Sequence, residues 1–230
     1  MSELGGRHIV VTGGAGALGG AVVAAFVRAG ASCHVPVHGS TAPPAASGVT
    51  YAPGVDLTNE AAVTAFYAGL PPALWASVHL AGGFAMGGIT ETSLGDLRTQ
   101  FDMNAVTAFL CCREAVRRFR LRPGGGGGRI VNVTARTALQ PAAQKSAYSL
   151  AKGAVASLTA NLAEELKSEG ILVNAVAPGT IDTPANRAAM PDLEESRMVK
   201  ADDIASVIVW LASPGNHIAS GAIVPVYGNS

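Results

Sequence analysis

Charge is scarce in this chain of 230 residues, and it is balanced: 16 Lys and Arg against 16 Asp and Glu, with only 14% of residues charged. No basic run appears, so a nucleic-acid backbone has no electrostatic footprint to meet, and nucleic-acid binding is not expected. No stretch offers about twenty uninterrupted apolar residues, so no membrane-spanning helix is expected. The N-terminal MSELGGRHIVVTGG lacks the charged flank, apolar centre and small-residue cleavage site of a secretory leader. A cytoplasmic protein is therefore expected. Cysteine is equally sparse. Cys33 and the adjacent Cys111 and Cys112 build neither a disulfide framework nor a zinc spacing, and read as reduced core or helix residues. Histidines such as His79, in an expected strand, and His217, in an expected loop, are scattered, so no metal site is expected.

What the chain has in quantity is apolar residues, 49% of the total, enough at this length for one domain with a full core. Short runs rich in Val and Ile alternate with longer helical patterns. HIVVT, SCHVPV, VTYAP, ALWASVHL, RIVNVT, ILVNAVAP and AIVPVY are seven strand candidates. Strands separated by helices imply a doubly wound parallel sheet covered on both faces, with right-handed crossovers. In LGGAVVAAFVRAG, Leu18, Val22, Phe26 and Ala29 recur at helical spacing, and Gly30 supplies the stop. RPGGGGG, residues 122–128, reads as a flexible connection inside a single domain spanning 1–230. The more polar stretch 183–203 reads either as a substrate flap or as an ordinary surface connection.

Immediately after the first strand comes TGGAGALGG, in which Gly14, Gly16 and Gly19 satisfy GxGxxG as the helix begins. Glycines there allow a tight turn and close approach of a pyrophosphate, whose charge the open amides and the helix dipole favour. In that strand and helix context the motif points to a dinucleotide and a Rossmann fold. An acidic residue that would hold a ribose hydroxyl is expected roughly twenty residues on. The sequence there reads VPVHGST, without a carboxylate. His38, Ser40 and Thr41 are candidate donors to a 2′-phosphate, which favours NADP(H) and leaves NAD(H) open; His38 also reads as a plain loop residue. Asp56, in VDLT, is a candidate contact to the adenine end.

Tyr148 and Lys152 stand four apart, on one face of an expected helix. A free phenol, with a pKa of about 10, is a poor acid near neutrality. An ammonium about 5 Å away, at an effective dielectric of 20, contributes about 3 kcal/mol, or roughly two pKa units. Lys152 is thus expected to bring Tyr148 into catalytic range. Alone, YxxxK commonly marks only a solvated helix face; coupling to the glycine cradle gives it weight.

With both motifs in view, the chain resembles the short-chain dehydrogenase/reductase family from the first strand to the last. The resemblance rests on TGGAGALG, Asp56, LAGG at 80–83, FDMNAV with Asn104, YSLAK and NAVAPGTIDTP. It implies cofactor contacts from Gly14, Gly16, Ala17, Leu18, Gly19, His38, Ser40, Asp56, Leu57, Ala81, Gly82, Gly83, Tyr148, Lys152, Pro178, Gly179, Ile181 and Thr183. It implies that Tyr148 exchanges the proton, that Lys152 also holds the nicotinamide ribose, and that Asn104 supports a water-linked relay. It also implies a homo-dimer or homo-tetramer paired through helices, with which the apolar faces of 104–119 and 149–166 are compatible, as a buried monomer face would be.

The pattern departs from the family at Ala135, where a serine is usual, at Ala17, and in LAGG. Together with DTPANRAAMP, these departures are similar to the dihydropteridine-reductase-like branch, although Asn104 fits the ordinary family better. Losing one oxyanion donor costs on the order of a hundredfold to a thousandfold in rate. Thr134 and Thr137 are candidate replacements, Thr137 the better because strand alternation turns Thr134 away. Otherwise the chemistry does not need the hydroxyl, as with an activated C=O, C=N or quinonoid acceptor. Arg136 reads as an attractor of anionic substrate or as a solvent-facing residue, Asn186 as a pocket residue or a cap, and Phe84 and Met86 as pocket lining or packing. The expected function is an NAD(P)H-dependent reductase acting on a small molecule with Tyr148 as proton donor. The alternative is a catalytically weak nucleotide-sensing or interaction protein.

Overall fold

A computed structural model describes residues 3–122 and 127–229 of the chain. Seven strands form one parallel sheet: β1 (His8–Thr12), β2 (Ser32–Val37), β3 (Val49–Pro53), β4 (Leu74–His79), β5 (Gly128–Val133), β6 (Ile171–Pro178) and β7 (Ile223–Val226). Their order is β3-β2-β1-β4-β5-β6-β7. The chain reverses direction across the sheet between β1 and β4, and in an open parallel sheet such a reversal leaves a crevice at the carboxyl ends of the strands. The helices are α1 (Ala17–Arg28), α2 (Glu60–Ala68), α3 (Leu94–Phe101), α4 (Thr107–Arg120), α5 (Ser146–Glu165), α6 (Pro184–Ala189) and α7 (Ala201–Ala212). A π-helical turn, Asp102–Val106, joins α3 to α4.

Side-chain alternation divides the apolar residues between two cores. Ile9 and Val11 of β1 join Val22 and Phe26 of α1 and Ile204 and Ile208 of α7 on one face. Val10 joins Val63 and Tyr67 of α2 and Leu110 and Phe119 of α4 on the other. Each such side chain, once buried, contributes about 1.5–3 kcal/mol, which explains why central strands read as unbroken Val/Ile runs.

All seven strands fall where the Val and Ile runs put them, with ends moved by a residue at most. Gly30, at φ +87°, closes the turn after α1. The polar stretch 183–203 holds α6 and a 3-10 turn, Glu195–Arg197, and its last three residues are the first turn of α7 rather than part of a flap. In the connection expected at 122–128, residues 123–126 lie outside the described residues. Among the described residues no helix is long and apolar enough to cross a membrane, and no group of His, Cys, Asp or Glu is arranged to hold a metal. Cys33, Cys111 and Cys112 are buried thiols.

His79, at the end of β4, is wholly enclosed. Its Nε2 lies 2.8 Å from Ser77 Oγ and its Nδ1 2.8 Å from Asn132 Oδ1. Burial pulls its pKa down to about 4 against the partial opposition of the Asn132 bond. The folded state therefore binds a proton less readily than the unfolded chain, whose histidine titrates near 6.5. Stability from this residue is complete above that pH and drains away as pH falls toward 4. Urea unfolding should show a loss of about 3 kcal/mol from this residue between pH 7 and pH 4. His79→Gln should remove that part of the slope, and equal slopes in both proteins would contradict the assignment.

Candidate active site

The loop after β1 is shaped by close backbone contact. Gly13 adopts φ +67°, and a Cβ there would lie 2.8 Å from the Ala81 nitrogen. A Cβ on Gly14 would lie 2.9 Å from Val35 Cγ1, and one on Gly19 would lie 2.0 Å from the Gly13 oxygen. Only hydrogen side chains let the start of α1 settle onto this loop. Ala15, Gly16 and Ala17 are exposed, Leu18 is half-buried, and the N-cap Gly16 brings no side chain to the first-turn amides. Those amides and the helix dipole fit a diphosphate. Gly13, which touches the next loop, was not among the expected contacts; the doubled glycine in TGG was its only trace.

The end of β2 alters one expectation. No carboxylate occurs in VPVHGST, yet the Asp56 carboxylate arrives from the β3–α2 connection, 4.0 Å from the exposed His38 imidazole. Asp56 Oδ1 accepts from the Thr58 hydroxyl (2.7 Å) and amide (2.9 Å), and these bonds hold its pKa below the usual carboxylate range. Ser40 and Thr41 are exposed and Leu57 is buried. A 2′-phosphate at this edge would therefore meet one negative charge that residue order alone conceals.

The 80–83 loop joins the cradle to the tyrosine helix. The Ala81 amide donates to Thr12 Oγ1 (3.2 Å), tying the loop to the end of β1. A Cβ on Gly82 would lie 2.4 Å from Asn104 Oδ1 and 3.3 Å from Lys152 Nζ, so both side chains close on this glycine. Asn104 Nδ2 donates to the Gly83 carbonyl (3.0 Å) and the Gln100 carbonyl (2.9 Å), while its Oδ1 accepts from the Gly83 amide (3.3 Å). The side chain of Asn104 thus fixes the loop. Its place in a π-helical turn, a distortion frequent at functional sites, was invisible in FDMNAV.

Tyr148 and Lys152 occupy the first two turns of α5. The Lys152 ammonium is buried and donates to the Val133 carbonyl (2.9 Å), and burial lowers its pKa to about 8. The Tyr148 ring meets Phe84 edge to face, with centroids 4.9 Å apart. Burial pushes the phenol up to about 12. This is the opposite of the expected downward shift: burial disfavours the phenolate, and the ammonium bonded to the Val133 carbonyl does not offset it in the resting structure.

The neighbours of the missing serine separate clearly. Ala135 is buried. The Thr134 hydroxyl donates to the Lys152 carbonyl (2.6 Å) and is thereby committed to α5. Thr137 Oγ1 is buried with no hydrogen-bond partner among the described residues. Arg136 donates from Nε to Gln140 Oε1 (2.8 Å), and its guanidinium lies over the Tyr227 ring, 5.0 Å from the centroid. On the far side, the Gly179 amide donates to the Val226 carbonyl (3.0 Å) just beyond Pro178, and Ile181 pairs with Val199. Thr183 caps α6 by accepting from the Asn186 amide (3.1 Å), and Asn186 Nδ2 donates to the Ile181 carbonyl (2.8 Å). Asn186 is thus engaged in the turn. Phe84 and Met86 are both exposed, and Met86 lines a cavity of about 250 Å³ with Gly87, Gln100 and Lys145. Gln144, held at φ +58°, accepts from the Gly87 amide (2.9 Å) and so ties the 84–92 loop to the start of α5; nothing in its residue type signalled this.

Residues 7–194 match the family model for short chain dehydrogenases. The chain belongs to the short chain dehydrogenase family. Among curated relatives, the uncharacterized oxidoreductase YohF of Escherichia coli is 37% identical over 159 residues, 66% of this chain and 62% of that protein. The chloroplastic NADPH-dependent aldehyde reductase-like protein of Arabidopsis thaliana is 36% identical over 61% of this chain and 54% of its own length. The matched region thus spans less than two thirds of either relative. The solved structure of ElxO with NADP bound has a TM-score of 0.87 over 97% of this chain and 98% of that one. At 22% identity, that likeness shows the shared fold.

For a short chain dehydrogenase cradle built this way, neighbouring glycines should behave oppositely. Gly19→Ala drives a methyl into the Gly13 carbonyl and should lower stability by about 1–3 kcal/mol with loss of nicotinamide-cofactor binding. A Cβ on Gly20 meets nothing within 4 Å, so Gly20→Ala should be neutral or stabilising by about 0.5–1 kcal/mol. Thermal unfolding and cofactor titration of the two variants check this; equal behaviour would contradict the packing account.

Proposed function

We propose that this short chain dehydrogenase is an NAD(P)H-dependent reductase of a small molecule bearing an activated C=O, C=N or quinonoid group. The observation that carries the reading is the double contact of one loop: residue 81 lies against Gly13 of the cradle, and residue 82 lies against Lys152 and Asn104. A dinucleotide held by the cradle would be bordered along this loop by Gly82, Asn104 and Lys152, the residues that would hold its nicotinamide end. Bound there, a reduced nicotinamide supplies the hydride.

Tyr148 is the proton donor. As hydride adds to the acceptor carbon, the π electron pair moves to the heteroatom, and the phenol proton follows it. Burial, which raises the phenol to about 12, keeps its proton in place at neutral pH but makes it a weaker acid, so the transfer relies on an acceptor heteroatom that becomes strongly basic as hydride arrives. Lys152, still charged below about pH 8 and on the same helix face, is the cation available to the tyrosinate left behind until solvent returns a proton, although in the resting structure its ammonium is bonded to the Val133 carbonyl. With Ala135 in place of a hydroxyl and Thr134 committed to the Lys152 carbonyl, the unpartnered Thr137 hydroxyl is the remaining candidate donor, and an acceptor that spreads its developing charge is the match that needs none. This supports kinship with the serine-less dihydropteridine-reductase-like branch.

NADP(H) is the favoured cofactor, with support from the Arabidopsis relative's name and from the NADP bound to ElxO; Asp56 beside His38 leaves NAD(H) a competitor. Buried free thiols suit a reducing, cytoplasmic setting. Exposed Phe109 on α4 and Leu150 on α5 support pairing of copies into a homo-dimer or homo-tetramer through these helices.

The test is consumption of reduced nicotinamide, NADPH and NADH in parallel, against quinonoid, imine and carbonyl acceptors. Turnover should fall as pH rises through about 8, because Lys152 then loses its charge. Tyr148→Phe should lower kcat at least about a hundredfold and leave cofactor affinity nearly unchanged. Cofactor binding without turnover of any acceptor would instead support a nucleotide-sensing protein.

A further inference from the structure

A second cluster of charge lies at the opposite end of the sheet. Arg7 precedes β1, Trp75 is the second residue of β4, and Arg129 is the second residue of β5, on three adjacent strands. The Arg7 guanidinium stacks on the Trp75 indole, 3.5 Å from the ring centroid. Arg129 and Arg122 approach the same ring at 5.1 and 5.4 Å. The indole is anchored by donating from Nε1 to the Ala212 carbonyl (2.8 Å). Arg129 donates to the Asn216 carbonyl through Nε (3.1 Å) and Nη2 (2.8 Å), and to the Gly128 carbonyl through Nη1 (2.9 Å). All of these acceptors are neutral, so they orient Arg129 without cancelling its charge.

Neither Arg7 nor Arg129 has a carboxylate within 4.0 Å among the described residues. Burial, and next its arginine neighbours, draw Arg129 below the ordinary arginine range; burial and then Arg122 do the same to Arg7. Repulsion between the Arg7 and Arg129 guanidiniums, neither of which meets a carboxylate, is unfavourable, and a ligand anion offsets that cost. The stacked face of Arg7 leaves its N–H edge for a ligand, and a planar guanidinium edge matches the oxygens of a phosphate bidentately.

We propose that Arg7 and Arg129, arranged about Trp75 with Arg122 beside them, form a binding site for a free multivalent phosphate compound of the diphosphate or polyphosphate class. The site lies at the amino ends of the strands. The length of β1, five residues and so about 17 Å, separates it from the glycine cradle at their carboxyl ends. It is independent of the reductase reading.

Inorganic pyrophosphate is the probe, and the indole N–H resonances of the chain's two tryptophans are the readout, with Trp210→Phe used to assign them. The Trp75 resonance should shift saturably, and binding should weaken as salt rises. Arg7→Gln should weaken it roughly tenfold or more, with an unchanged circular dichroism spectrum. If Arg7→Gln does not fold, Arg122→Gln, which leaves the stacked pair intact, should weaken binding in the same direction. A Trp75 signal that does not move, one that moves equally in wild type and folded variants, or shifts confined to the cradle amides of residues 13–19 would overturn the proposal.

Discussion

A buried ammonium bound to a main-chain carbonyl is the constraint around which the carboxyl end of this sheet is organised. Lys152 donates to the Val133 carbonyl at the last residue of β5, and the Thr134 hydroxyl returns a bond to the carbonyl of Lys152 itself. Two reciprocal bonds therefore staple the second turn of α5 to the end of β5. They fix where Tyr148, one turn earlier, presents its ring. They also leave the ammonium beside Gly82, whose missing side chain is what lets Lys152 and Asn104 approach one loop together.

That arrangement opposes stability. Burial moves Lys152 from 10.5 to about 8, so keeping it charged at neutral pH costs the folded state on the order of 3 kcal/mol. The Tyr148 pKa is displaced in the opposite sense, favouring the neutral phenol, again by burial. Burial thus pushes the two groups toward a neutral pair, yet near pH 7 the lysine remains charged and the tyrosine remains protonated. Those are the states that a proton donor and its electrostatic partner require. A buried ammonium with a lowered pKa beside a tyrosine is the kind of group that reactive sites gather, and it is the physical reason this corner is the one proposed for the chemistry.

What the residue order disclosed and what it concealed divide along physical lines. Val and Ile runs announced the strands because both faces of a parallel sheet are covered, and glycine spacing announced the cradle because only glycine tolerates those contacts. Tyr148 and Lys152 were legible because helical geometry puts residues four apart on one side. Hidden were the features made by the backbone or by distant approach. The Val133 carbonyl has no residue signature. The π-helical turn around Asn104 looks like ordinary helix in sequence, and Gln144 takes a left-handed conformation without being glycine. Asp56 comes near His38 only because β2 and β3 lie side by side. The direction of the Tyr148 shift was misjudged for a similar reason: a fixed distance and a fixed dielectric omitted the burial of the phenol and the turn of the ammonium toward Val133.

The most direct test is the replacement of Lys152 by an uncharged side chain of similar length. Lys152→Met should hold or raise the urea midpoint of the cofactor-free protein at pH 7, because the buried charge is gone, while lowering turnover at least about a hundredfold. A variant that is less stable yet retains most of its turnover would contradict the account.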